Sequence, residues 1–185
     1  MNETKVYINV DLQPDFFPGG ALGAPGADKI IPKVNKINEK ARQEGGEIIF
    51  TYEAHPHNMG AHFEKYGRHC LEGTPKAEID PRIKVSEDHL FVKGTEHDQD
   101  YLTSINAKDL DGRTLAEYLL SLGDNVHAIV YGLLLDYCAG DTAVDIAKRG
   151  IRTSLIRDLT PALNLKPGDD QRAIDRLVAA GVKVI

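Results

Sequence analysis

The chain has 185 residues and a formal net charge of -6, with 27% charged and 42% hydrophobic residues. This is an ordinary composition for a folded globular protein, and the acidic balance, with no cluster of Lys and Arg, excludes an electrostatic footprint for nucleic acid. No apolar run is long enough to span a membrane, and the length suits one domain over residues 1–185 with a substantial core. The opening Met1-Asn2-Glu3-Thr4-Lys5-Val6-Tyr7 leads straight into a strand and does not read as a signal peptide. Cys70 and Cys138 are the only cysteines, too few for a disulfide framework, so reduced thiols and a cytoplasmic setting are expected.

Residues 5–10 are a β-rich run ending in Asp11, after which Gln13-Pro14-Asp15 and Pro18-Gly19-Gly20 break the chain into a loop. The glycines between Gly19 and Gly26 fit neither a phosphate-binding loop nor the dinucleotide fingerprint, and the segment reads as plain loop. Over residues 28–43, Ile30, Ile31, Val34, Ile37 and Ala41 recur at helical spacing, and Gly45-Gly46 ends the helix. Residues 47–52 predict a second strand that runs into Glu53-Ala54-His55, and a stretch rich in His, Gly and Pro then reads as loop to about Pro81. Residues 90–93 predict a third strand, 114–122 a helix, and the apolar run 126–131 a buried strand. Cys138 falls between that strand and a helix over 142–148 whose Ala143, Ile146 and Ala147 share a face. Residues 153–156, 169–180 and 182–185 read as strand, helix and a short closing strand. The alternation predicts an α/β fold with a mostly parallel six-stranded sheet and helices on both faces.

In such sheets ligands bind beyond the carboxyl ends of the strands. Asp11, Glu53 with His55, Lys93 and Cys138 all fall at or just past predicted strand ends, hence at one edge of one sheet. A thiol at the start of a helix feels unpaired N–H groups and the positive end of the helix dipole, which favour thiolate and are placed to hold an oxyanion. Asp11 is the candidate base, and Lys93 the charge that supports both. Taken singly, a buried structural cysteine, a turn aspartate and a snorkelling lysine are the simpler readings; their common edge favours catalysis. The histidine-rich segment supplies a second constellation. Glu53, His55, His62 and His69 are reasonable ligands for zinc, iron or manganese, set against the plainer reading of solvated loop histidines. His89, His97 and His127 have no such company and read as surface or satisfied histidines.

Three blocks carry a resemblance over nearly the whole chain: Asp11-Leu12-Gln13-Pro14-Asp15-Phe16 with Gly19-Gly20-Ala21-Leu22, then Phe91-Val92-Lys93-Gly94-Thr95, then Gly132 to Cys138 with Thr142-Ala143 and Asp145. They resemble the isochorismatase-like cysteine hydrolases and, within them, the nicotinamidases (pyrazinamidases). The resemblance implies a three-layer αβα fold and a catalytic triad of Asp11, Lys93 and Cys138. It further implies an oxyanion hole made by the backbone N–H groups of Leu134 and Cys138, with a cis peptide between Leu133 and Leu134. The family's metal block is Asp-x-His, a second His before Phe, and an aromatic ahead of His-Cys-x-x-Gly-Thr. Here His55-Pro56, His62-Phe63 and His69-Cys70-Leu71-Glu72-Gly73-Thr74 match it. Glu53 stands in place of the Asp, and Tyr66 roughly in place of a Trp that stacks on the substrate ring. Tyr101-Leu102-Thr103-Ser104 replaces the Tyr-Ser-Ala-Phe that often follows the lysine block.

The implied activity is hydrolysis of nicotinamide to nicotinate and ammonia through a thioester on Cys138. It implies a divalent metal, zinc first and iron or manganese next, held by Glu53, His55, His62 and His69, with the ring between Phe16 and Tyr66. The implied partner is a small-molecule amide, with neither nucleic acid nor membrane, and homo-oligomerisation is left open. A related amidohydrolase acting on a carbamoyl or ureido compound is the alternative within the family. A non-catalytic binder on the same fold is the alternative outside it.

Overall fold

Large apolar residues occupy both faces of each central strand, because successive side chains of a strand point to opposite sides. Val6, Ile8 and Val10 join Ala128 and Val130 in one core, while Tyr7 joins Ile129 and Tyr131 in the other. Strands buried on both faces read as continuous apolar runs, and such strands build parallel sheets. The computed structural model describes residues 3–97 and 102–185. Among them are β1 (Thr4–Val10), β2 (Glu47–Glu53), β3 (His89–Lys93), β4 (Val126–Gly132), β5 (Arg152–Leu155) and β6 (Lys183–Val184). They form one sheet in the order β3-β2-β1-β4-β5-β6, and every pairing is parallel.

The helices are α1 (Ile31–Gln43), α2 (Ala61–Tyr66), α3 (Leu115–Ser121), α4 (Cys138–Ala147) and α5 (Asp169–Ala179). Leu115 and Leu119 of α3, Ala143 and Ile146 of α4, and Ala173 and Leu177 of α5 fill the first core. Val34 and Ala41 of α1 fill the second, together with Leu12, Phe16 and Phe17 from the segment after β1. The result is the three-layer αβα arrangement expected from the alternation of elements.

Three of the differences between the sequence reading and the structure concern the helices α1, α2 and α4. The first helix opens as a 3-10 turn, Ala27–Ile30, before α1. Pro32 then lies in the first turn of α1, where a missing N–H costs no helical bond. The expected loop between β2 and β3 contains α2, a helix of under two turns bracketed by Gly60 and Gly67, both at positive φ. Six residues with no side-chain cap give too little periodicity to read. Helix α4 begins at Cys138, four residues before the helical spacing becomes visible.

Strand order reverses between β1 and β4, so a crevice opens beyond their carboxyl ends. Val10 pairs with Gly132 there, and Leu133 N–H donates to the Val10 carbonyl at 2.9 Å. Gly132 has φ +122°, and a Cβ on it would stand 2.2 Å from the Val10 oxygen. Gly132→Ala is therefore expected to lower the unfolding free energy by roughly 3 kcal/mol or more. Gly150, at φ +79° with open space around it, provides the comparison: Gly150→Ala carries backbone strain alone, about 1 kcal/mol. Urea unfolding of the two variants measures the difference.

Candidate active site and metal centre

Three adjacent strands each deliver one ion to the crevice. Asp11 follows β1 at φ +51°, a left-handed conformation that Asp tolerates better than most residues. Glu53 ends β2 and Lys93 ends β3, and the parallel register sets those two side by side. Lys93 Nζ lies 2.8 Å from Asp11 Oδ2 and 3.0 Å from Glu53 Oε1, and it donates to the Leu102 carbonyl at 2.8 Å. The Asp11 Oδ2 contact is an ion pair without a well-aligned hydrogen bond, whereas Oδ1 accepts from the Thr51 hydroxyl at 2.9 Å. All three charged side chains are at most 3% exposed.

Cys138, the first residue of α4, completes the group: its sulfur and carboxylate oxygens of Asp11 and Glu53 lie within 4.8 Å of one another. The ammonium of Lys93 supplies the cation among them. Burial pushes the Cys138 thiol well above its ordinary value; Lys93 opposes this, while Asp11 and Glu53 add to it. Burial also raises Asp11, with Lys93 opposing and Glu53 reinforcing. Burial acts to raise Glu53 too, yet Lys93, His55 and His69 outweigh it and hold Glu53 well below the usual carboxylate range. Lys93 is held well above its own range by Asp11, Cys138 and Glu53, against burial. The Lys93 ammonium thus favours an ionised Glu53, while burial and the two carboxylates act against ionising the Cys138 thiol.

The histidines gather on the other side of Glu53. One ring nitrogen each from His55, His62 and His69 lies within a 4.8 Å cluster, and all three residues are buried. His55 Nδ1 lies 2.8 Å from the Gly94 carbonyl and His69 Nδ1 2.8 Å from the Gly67 carbonyl. A carbonyl only accepts, so each Nδ1 carries its proton and each Nε2 is turned to the cluster. Those Nε2 atoms face Glu53 Oε2 at 3.1 and 3.2 Å, and His62 Nε2 is 3.5 Å from His69 Nε2. Lone pairs on nitrogen and carboxylate at that spacing need a proton or a cation between them. The donor set, three imidazoles and one carboxylate, fits a divalent metal of the zinc, iron or manganese type. Gly94 is needed beside it: at φ +69° it carries no side chain, and a Cβ would stand 2.3 Å from His55 Cε1. His57 is exposed and takes no part.

A cavity of about 320 Å³ joins the two groups, lined by Glu53, His62 and His69 on one side and Leu133, Leu134 and Cys138 on the other. Phe16 and Tyr66 both line it, and Tyr66 packs on His62 with ring centroids 5.0 Å apart. The Leu133–Leu134 peptide is cis. Among the described residues neither Leu134 N–H nor Cys138 N–H donates to a backbone carbonyl, while the Leu134 carbonyl accepts from Tyr137, Ala139 and Gly140 at the start of α4. Of the residues the sequence singled out, Phe16, Glu53, His62, Tyr66, His69, Leu134 and Cys138 line this cavity, while Asp11, Lys93 and His55 stand behind it in contact with Glu53 or the Cys138 group. Tyr101 lies outside the described residues.

Several contributors were assigned no role by the sequence reading. Gln13 pins Glu53 from both sides, with Nε2 donating to the Glu53 carbonyl at 2.7 Å and Oε1 accepting its N–H at 2.8 Å. Asp15 Oδ2 accepts the Cys70 N–H at 2.8 Å and so fixes the segment that bears His69. Leu163 and Leu165 reach the cavity from the loop before α5. Only the position of Gln13, two residues past Asp11, hinted at its place.

The isochorismatase domain model matches residues 5–185. The nicotinamidase of Acinetobacter baylyi is 32% identical over 199 residues, covering 96% of this chain and 90% of that protein. The nicotinamidase of Escherichia coli is 26% identical over 196 residues, covering 96% and 92%. In structure, the zinc complex of the pyrazinamidase of Pyrococcus horikoshii superposes with a TM-score of 0.85 at 35% identity, covering 98% of each chain. This chain belongs to the isochorismatase domain family and, by sequence and structure, is closely related to its nicotinamidases and pyrazinamidases.

Proposed function

We propose that this protein is a metal-assisted cysteine amidohydrolase that converts nicotinamide to nicotinate and ammonia, with residues 1–185 forming a single hydrolase domain. The observation that carries the reading is the convergence of two buried groups on one cavity: Cys138 with Asp11 and Lys93, and Glu53 with His55, His62 and His69. The net charge of -6 and the two unbridged cysteines support a cytoplasmic enzyme acting on a small molecule rather than on nucleic acid. Among the described residues no helix is long and apolar enough to cross a membrane.

Phe16 and Tyr66 flank the substrate ring and Leu134 lies beside its carboxamide. A divalent metal held by Glu53, His55, His62 and His69 would supply a Lewis-acid anchor for a ring nitrogen. Asp11 takes the Cys138 proton as the sulfur attacks the carboxamide carbon. The oxyanion accepts from the backbone N–H groups of Leu134 and Cys138. Asp11 returns the proton to the amide nitrogen, the C–N bond breaks, and ammonia leaves a nicotinoyl thioester. A water then gives a proton to Asp11 and attacks the thioester carbon; the C–S bond breaks, Asp11 returns its proton to sulfur, and nicotinic acid leaves, ionising to nicotinate as the released ammonia takes up its proton. Lys93 keeps its charge throughout and steadies Asp11 whenever it is ionised.

The purified protein is expected to release ammonia from nicotinamide, to lose that activity to a strong chelator, and to regain it with zinc or manganese. Release indifferent to the chelator, or confined to carbamoyl or ureido compounds, would reject this reading. Cys138→Ala should lower turnover by at least about 10³-fold while leaving the thermal transition in place. Gly94→Ala should displace His55 and weaken metal retention by about 10- to 100-fold, read as metal content after dialysis against graded chelator.

A further inference from the structure

A line of buried hydroxyls runs away from Asp11, across three elements, to the helix that bears Cys138. Thr51 Oγ1 in β2 donates to Asp11 Oδ1 at 2.9 Å, and Ser104 Oγ lies 2.9 Å from Thr51 Oγ1. The Ser104 N–H donates at 2.8 Å to Thr142 Oγ1 in α4, one turn after Cys138. Thr51, Ser104 and Thr142 are each 0% exposed.

Proton counting fixes the direction of the line. An ionised Asp11 only accepts, and Thr51 has one hydroxyl proton, which it gives to Oδ1. Ser104 must then donate to Thr51. Oδ1 is occupied from this side, Oδ2 is the oxygen turned to Lys93, and the Asp11 carboxylate belongs to the group that holds the Cys138 sulfur. We propose that Thr51, oriented by Ser104, is a positioning residue for the reaction, clamping Oδ1 so that Oδ2 alone exchanges the proton with Cys138. Neither residue touches the substrate cavity, so the clamp governs turnover and leaves binding alone. The Ser104–Thr142 bond ties the same clamp to α4, which couples the position of the base to that of the nucleophile. The inference rests on the reading of Asp11 as the base.

The test is steady-state hydrolysis of nicotinamide by metal-loaded Thr51→Val, Thr51→Ser, Ser104→Ala and Asp11→Asn. Valine keeps the shape of threonine and removes the donor. Thr51→Val should lower kcat by about 10- to 100-fold with KM within about twofold. Thr51→Ser, which restores the donor, should recover most of that loss. Ser104→Ala should show the same kcat-only pattern at about three- to tenfold. A Thr51→Val kcat within twofold of the parent, or valine and serine variants equally slow, would overturn the proposal. Should Thr51→Val not fold, Ser104→Ala decides, and a parental kcat there overturns it. Asp11→Asn separates the two levels. If that variant is inactive while Thr51→Val is normal, only the clamp fails. If it turns over normally, the reading of Asp11 as base fails and takes the clamp with it.

Discussion

One buried ammonium holds the site together. Lys93 stands between Asp11 and Glu53 with almost no access to water. Taking a charge out of water costs several kcal/mol per ion, and a buried pair recovers this only with close geometry and further hydrogen bonds. Both conditions are met here. The strand order β3-β2-β1 places the three ions on neighbouring strand ends, and Leu102, Thr51 and Gln13 supply the remaining contacts. Without the ammonium, two carboxylates and a thiol would share one dry volume, and at least one carboxylate would be forced to protonate.

Glu53 connects this ion group to the histidines. Its two oxygens have different partners, Oε1 facing Lys93 and Oε2 facing His55 and His69. One carboxylate meets both groups from a strand end pinned by Gln13. The negative charge of Glu53 is therefore shared between Lys93 and the imidazole cluster.

The legible parts of this site are those that sit on regular elements. Cys138 could be found because an apolar run precedes it and helical spacing follows it; Asp11 and Lys93 because each closes a β-rich run. Even the order of the strands mattered little to that reading, since parallel strands put all their carboxyl ends at one edge. His62 is different. It was visible as a histidine, but the helix that presents it is too short to leave a periodic signature. Thr51 and Ser104 were invisible for another reason: a threonine in a strand and a serine in a loop are what those elements ordinarily contain, and only tertiary contact distinguishes them. Leu163 and Leu165 come from a loop more than 20 residues past Cys138, where nothing local points back to the cavity.

The state of the thiol turns on magnitudes that the sequence does not carry. A helix N-terminus favours a nearby anion by about 0.3–1 kcal/mol, or about 2 kcal/mol in a favourable buried setting. Desolvation of a charge costs more than that, and the carboxylates of Asp11 and Glu53 oppose a second anion beside them. Lys93 is already engaged with both carboxylates. Burial is the largest influence on the Cys138 thiol and raises it, with Lys93 opposing. On the proposed mechanism, nucleophilicity then depends on moving the proton to Asp11 when the sulfur has a carbon to attack.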